Sequence, residues 1–326
     1  MELAFTDEQL ALRDTVRDLL TRECPSSVVR AAWSNATGRT DRAWQRLSEI
    51  GALSVLAPQP DGLGLGFVDL VLVLEEAGRA ALPEPIVEHA AVAAPLVDLD
   101  GRTATAAAPE APAVLDADTA DVLLLVHDGE LHAVPADRVG LTLRPAVDAS
   151  RRMFEVDWTP TGETRIDADV GAVFDRGALG TAAVLVGLAQ HLLDTTVDYA
   201  SERRQFGAPI GSFQAVKHHL ADVAIALEFA RPLVHRAAWS LDTDHPDAAI
   251  HASMAKARAG DAAELAARHA LQCHGAIGYS FEYDLHLWMK RVWALSGAWG
   301  DARWHRARVS RAILVPDTTV DRGATR

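Results

Sequence analysis

Two short stretches of this chain have residue types and spacing suited to holding an anionic ligand. The first is ERRQFG, Glu202 to Gly207, followed by Pro209, Gly211 and Ser212 and then FQAVKHHLAD. Arg203 and Arg204 close a helical stretch, and a glycine turn follows. A helix end running into such a turn can aim a guanidinium at a diphosphate, because the planar fork makes paired hydrogen bonds to phosphate oxygens. Gln205 and Gln214 add amides, and Phe206 adds an aromatic ring. Taken singly, these residues also suit an ordinary charged helix end with an exposed loop. The second stretch is QCHGAIG, in which Gln272 on a helix leads into Gly275, Ala276, Ile277 and Gly278. Glycines let a backbone approach a ligand and free N–H groups for an anion. A plain helix C-cap would need only one glycine.

Other candidates carry less. Gly62, Gly64 and Gly66 lack GxGxxG spacing and no parallel βαβ pattern follows, so they read as a loop before a helix. His218, His219, His235, His245, His251 and His269 show no HExxH or paired carboxylate–histidine spacing, so no metal is expected. The net charge of −14 and pI near 5.3 argue against a nucleic-acid partner. Cys24 and Cys273 are the only cysteines, so no disulfide framework exists and a reducing cytoplasm is expected. The start, MELAFTDEQL, has no signal-peptide pattern, and no stretch nears the ~18 uninterrupted apolar residues of a membrane span.

The elements that must position these stretches follow from periodicity. Thr6 and Gln9 form a capping box for a first helix with Leu12, Val16, Leu19 and Leu20 on one face, closed by Pro25. Further helices are expected over 41–50, stopped by Gly51, over 67–81, and over 87–99. A linker is expected from Thr103 to Pro112. Asp128-Gly129 between two apolar runs predicts a hairpin, and 140–144 and 153–158 alternate like strands. From about Val170 four long helices are expected: 171–202, one capped by Ser212 over 213–242, one opened by Pro246 and reaching His274, and one from Leu285, broken near 297–300, ending near Pro316. The fold class is mostly α with a small central β domain: helical residues 1–100, a truncated β domain over 101–169, and a C-terminal four-helix bundle over 170–326.

This order of elements, with the two stretches quoted above, resembles the acyl-CoA dehydrogenase family. The resemblance implies FAD as cofactor and an acyl-CoA thioester as substrate, with an electron-transfer acceptor beyond it. It implies that Arg203 and Gln205 contact the FAD diphosphate and adenosine, that Phe206 packs against the cofactor, and that Gln214 adds a contact. It also implies that the turn of Gln272, Gly275, Ala276 and Gly278 touches the flavin diphosphate of a neighbouring subunit, so a homo- or hetero-oligomer is expected.

The resemblance breaks at two places. The family's α-proton base is a glutamate, in many members within a Tyr-Glu-Gly-Thr run, which falls here on Ala298, Trp299, Gly300 and Asp301. Trp299 stands at the base position, and indole cannot act as one. Other members place the glutamate on the first bundle helix, but Asp175 to Gln190 contains none. Asp301 is the nearest carboxylate and the candidate base. The family's Thr-Glu-Pro and Gly-Ser-Asp loop, which covers the flavin ring, is missing; Gly101 to Leu125 stands in its place. A dehydrogenase subunit lacking its own catalytic glutamate is therefore expected, with the base on a partner, as in heteromeric relatives acting on bulky steroid side-chain thioesters. The alternatives are a non-redox assembly subunit without flavin and a homo-oligomeric enzyme using Asp301.

Overall fold

The computed structural model of the protein describes residues 4–109 and 111–314. Helix α1, Asp7–Glu23, starts at the expected capping box: Thr6 N–H donates to the Gln9 side chain and Gln9 N–H to the Thr6 hydroxyl. Pro25 ends it and at once begins α2, Ser26–Ala32, a helix that periodicity over seven residues is too short to announce. Helix α3, Arg42–Glu49, stops before Gly51, which takes φ +75°. Helix α4, Phe67–Arg79, is mostly buried. In place of the helix expected over 87–99 there is a buried π-helix, Val87–Ala93. Such wide turns are rare and often occur at functional sites.

The β region holds β1 (Ala104–Ala106), β2 (Val114–Leu115), β3 (Val122–His127), β4 (Glu130–Pro135), β5 (Gly140–Arg144), β6 (Met153–Asp157) and β7 (Arg165–Ile166). They form two sheets, ordered β1-β3-β4-β7 and β2-β6-β5. The Asp128-Gly129 hairpin joins β3 to β4, both turn residues having positive φ. The stretch read as a linker contains β1, parallel to β3. Ala104 and Ala106 are small enough to be buried there against Val92, Val173 and Leu124.

Five helices follow: α5 (Val170–Glu202), α6 (Gln214–Asp242), α7 (Ala248–His274), α8 (Leu285–Gly297) and α9 (Ala302–Leu314). Asp169 caps α5 by accepting from Gly171 N–H at 2.8 Å. Ser212 does not cap α6. Its hydroxyl donates to the Pro209 carbonyl within a 3₁₀ turn, and Phe213 holds the cap position. Asp247, one residue after Pro246, precedes α7. The last expected helix is two, because Gly300 at φ +87° turns the chain between α8 and α9. Its expected end near Pro316 lies outside the described residues.

Helices α4 and α5 cross so closely that a Cβ on Gly78 would strike the Val184 carbonyl, and one on Gly187 the Glu75 carbonyl. A single apolar cluster runs from α1 through α4 into α5–α8. Helix α5 is long and apolar enough to cross a membrane, but 83% of that window is buried inside the protein, as in a core helix. Arg291 of α8 pairs with buried Asp148 and donates to Ser150 Oγ and the Leu82 carbonyl, tying the bundle to the β region and to the end of α4.

Candidate functional site

The two chemically suggestive stretches meet at one end of the bundle. Helix α5 ends at Glu202, and Arg203 N–H donates to the Tyr199 carbonyl at 2.8 Å. Next comes a hairpin of two short strands, β8 (Arg204–Gln205) and β9 (Ala208–Pro209). Phe206 and Gly207 form its turn at φ +52° and +80°. Positive φ is a strained choice for a bulky residue. Here it throws the Phe206 ring into solvent, 95% exposed. Arg203, Gln205 and Gln214, the first residue of α6, are also exposed.

On the other side of this rim α7 stops at His274, and Gly275 turns at φ +63° into the 3₁₀ segment Gly275–Tyr279. Gly275 faces open space, whereas a Cβ on Gly278 would come within 3.0 Å of Leu271. Gly275 therefore serves the turn and Gly278 the close packing. Gln272 and Ala276 are exposed, while Gly278 is buried. Tyr199 and His274 stack at 4.1 Å, with Tyr283 5.2 Å from His274, which fixes the end of α5 against the end of α7. The rings of His219 of α6 and His269 of α7 meet at 4.4 Å, tilted by 33°, on a further flank.

The rim residues suit an anionic dinucleotide presented from outside. Among the described residues the Arg203 side chain has no hydrogen bond or ion pair, so its full fork is available. Arg204 donates to the Gly207 carbonyl at 3.1 Å and steadies the turn. Sequence reasoning did not single out Tyr199, Tyr279, Phe281 or Tyr283. The signal was present in GYSFEY, three aromatics placed directly after the glycine turn.

A second feature lies at the opposite end of α5. A cavity of about 900 Å³ is lined by Val170, Gly171 and Phe174 of α5, by Ala106–Ala108 after β1, by Pro145–Val147, and by Ala298–Gly300. Both departures from the family pattern thus line one space, although nearly 200 residues separate them in sequence. Trp299 is 4% exposed at φ +52°. Its indole lies flat against α5 at Gly177, where any Cβ would collide with it. Its Nε1–H donates to Glu88 Oε1 at 3.3 Å.

The Trp299–Gly300 turn is held from behind. His305 Nε2 donates to the Trp299 carbonyl at 2.9 Å, and its Nδ1 accepts from the Ser253 hydroxyl at 3.0 Å. Burial lowers the His305 pKa to about 4, so the ring is neutral, in keeping with that tautomer. Lys256 Nζ donates to the Ser296 and Gly300 carbonyls, and burial lowers its pKa to about 7. Asp301 is exposed and outside the cavity lining; its carboxylate accepts from Trp304 N–H at 2.7 Å and caps α9. Asp175 is buried but paired with Arg308. Among the described residues, the carboxylate that does line the cavity is Glu88, on the π-helix. The clue to it was an acidic residue, next to His89, inside a largely apolar run, IVEHAAVAA.

The geometry separates the two features. Phe174 and Glu202 stand near opposite ends of the 33-residue α5. At ~1.5 Å per residue they are roughly 40 Å apart, farther than one dinucleotide can reach. The cavity is also a poor flavin seat. Ala106–Pro109 and Ala111–Ala113 present alanine and proline side chains where a ring-covering polar loop is expected, and the Trp299 indole fills part of the space.

A family model described as the acyl-CoA dehydrogenase C-terminal domain matches residues 168–314, and one described as the N-terminal domain matches residues 6–105. The chain is 31% identical to acyl-CoA dehydrogenase IpdE2 of Mycolicibacterium smegmatis, over 95% of this chain and 100% of that one. It is 31% identical to IpdE2 of Mycobacterium tuberculosis, over 88% and 91%. Among solved structures, the ChsE4-ChsE5 complex from Mycobacterium tuberculosis has a TM-score of 0.86 at 22% identity, covering 97% of this chain and 99% of that one. The Tcur3481-Tcur3483 steroid ACAD G363A variant has a TM-score of 0.84 at 24% identity, covering 94% and 98%. These structures share the fold.

Proposed function

The chain belongs to the acyl-CoA dehydrogenase family, whose cofactor is FAD, and from that premise we propose that it is a subunit completing a flavin site in its neighbour. In its own cavity Trp299, not a carboxylate, stands where the family's base for the α,β-dehydrogenation of an acyl-CoA thioester is expected. The observation that carries this reading is the opposite placement on α5 of the exposed Arg203 rim and the Trp299-filled cavity. The two cannot serve one cofactor within one chain, so the rim serves a cofactor seated elsewhere. Arg203, Gln205, Gln214 and the Gln272–Gly278 turn would hold the FAD diphosphate and adenosine from across the interface, with Phe206 packed on the cofactor. Bound FAD would supply the acceptor for the hydride leaving the substrate β-carbon. This chain's task is binding and orientation, and the base comes from the partner.

A neighbouring structure described as a complex of ChsE4 with ChsE5 supports a heteromer, and one described as a steroid ACAD supports a bulky acyl group. Two free cysteines fit a cytoplasmic setting. The test is to purify the chain alone and with the dehydrogenase subunit it assembles with. We expect one flavin per two chains in the complex. Turnover by the lone chain should be ~100- to 10,000-fold lower, the usual worth of a positioned base. Asp301→Asn should leave complex activity unchanged. Robust turnover by the lone chain, abolished in Asp301→Asn, would overturn the reading.

A further inference from the structure

We propose that the cavity of this chain is a ligand site in its own right, taking an uncharged, bulky apolar alcohol whose hydroxyl is read by Glu88 and Arg151. The volume, about 900 Å³, lies in the range of small-molecule pockets. Ala106, Ala108, Val147, Met153, Phe174 and Trp304 make most of the wall apolar. Among the described residues, the charged side chains that line it are Glu88, Arg151 and Arg308. Arg308 is engaged by Asp175 and Ser253 and lies over Phe174 and Trp304.

The other two are unfinished. Glu88 is buried and accepts one hydrogen bond, from Trp299, although a carboxylate has room for about four. The Arg151 side chain has no hydrogen bond or ion pair among the described residues. It is half-buried and lines the cavity, and desolvation lowers its pKa. The two groups attract each other, yet no ion pair closes between them. Buried charges left this way are costly. A hydroxyl between them donates to Glu88 and accepts from Arg151, satisfying both. A ketone satisfies Arg151 alone. A carboxylate would face Glu88 and nearby Asp116.

The inference rests on the reading that no flavin ring occupies this cavity, and it is tested on the complex by calorimetric titration with cyclododecanol, cyclododecanone and cyclododecanecarboxylic acid. We expect the alcohol to bind most tightly, the ketone roughly tenfold more weakly, as for loss of a hydrogen bond to a charged group, and the acid least. Arg151→Met should weaken alcohol and ketone alike. Glu88→Met should bring the alcohol level with the ketone and reverse the order of alcohol and acid. Ala108→Phe, which fills the void and leaves both charges, should abolish binding at an unchanged melting temperature. No binding of the alcohol, an acid that binds more tightly than the alcohol to the unaltered complex, or Glu88→Met and Arg151→Met binding like the unaltered complex would each overturn the proposal. The earlier reading fails separately, by a flavin count of one per chain.

Discussion

The two ends of α5 obey different rules. At its C-terminal end the residues are exposed, strained or unpaired: Phe206 at positive φ in solvent, Arg203 without a partner, Gly275 facing open space. Little in the chain's own packing needs them to be what they are, which fits the proposal that they serve something arriving from outside. At the N-terminal end Trp299 and the residues around it fit one another. Trp299 needs Gly177 for room and Glu88 for its N–H, and its turn is anchored by His305 and Lys256. On the proposed reading, that end has exchanged a reacting group for packing. The rim should therefore govern the complex, and the cavity wall should govern the lone chain.

The largest expected effect tests the packed end. Trp299→Ala removes a buried indole and should cost about 3–5 kcal/mol of lone-chain stability, read by urea unfolding, with flavin content of the surviving complex unchanged. Gly177→Ala alone should cost about 1–3 kcal/mol by overpacking against the indole. In the Trp299→Ala background the same change should cost nearly nothing, because the new methyl enters the space left behind. Additive losses in the double variant would break the claim that these two residues are fitted to each other.

A smaller effect tests the open end. Arg203→Ala should weaken FAD binding by the complex by about 2 kcal/mol, the scale of a charge-assisted hydrogen bond. The lone chain's melting temperature should not move, since the Arg203 side chain bonds nothing among the described residues. Unchanged flavin occupancy in the complex would remove the rim from the cofactor site.

Much of the fold was legible in the sequence, because local rules wrote it. The Thr6–Gln9 capping box, the Asp128-Gly129 turn and the apolar face of α5 each depend on residues within a few positions of one another. The two stretches of the proposed rim stood out for the same reason: ERRQFG and QCHGAIG are contiguous. What escaped depends on distance. Ala104 to Ala106 looked like linker because an alanine run has weak strand preference, and only burial against Val92 and Val173 makes it β1. Glu88 looked like one acid in an apolar run until α5 and the α8–α9 turn brought Trp299 to it. Asp301 was chosen for nearness in sequence to the usual base position, but its place two residues beyond Trp299 sends it to the α9 cap.

The smallest effect has opposite signs at the two levels, which makes it the sharpest probe of the contrast. Phe206 pays for its exposed position with a left-handed backbone conformation, and its ring contacts little in the chain beyond Phe213, 6.2 Å away edge-on. Phe206→Gly relieves that conformation but also loosens the unfolded chain, which offsets part of the gain. The net change in the lone chain should be stabilising by about 0.5–1 kcal/mol, seen as a small rise in melting temperature. In the complex the same substitution removes an aromatic surface from the cofactor interface, so FAD affinity should fall. A residue kept for the chain's own sake would show loss at both levels, and one kept for nothing would show gain at both. Gain alone and loss in assembly is the pattern expected where strain is tolerated because a partner uses its result.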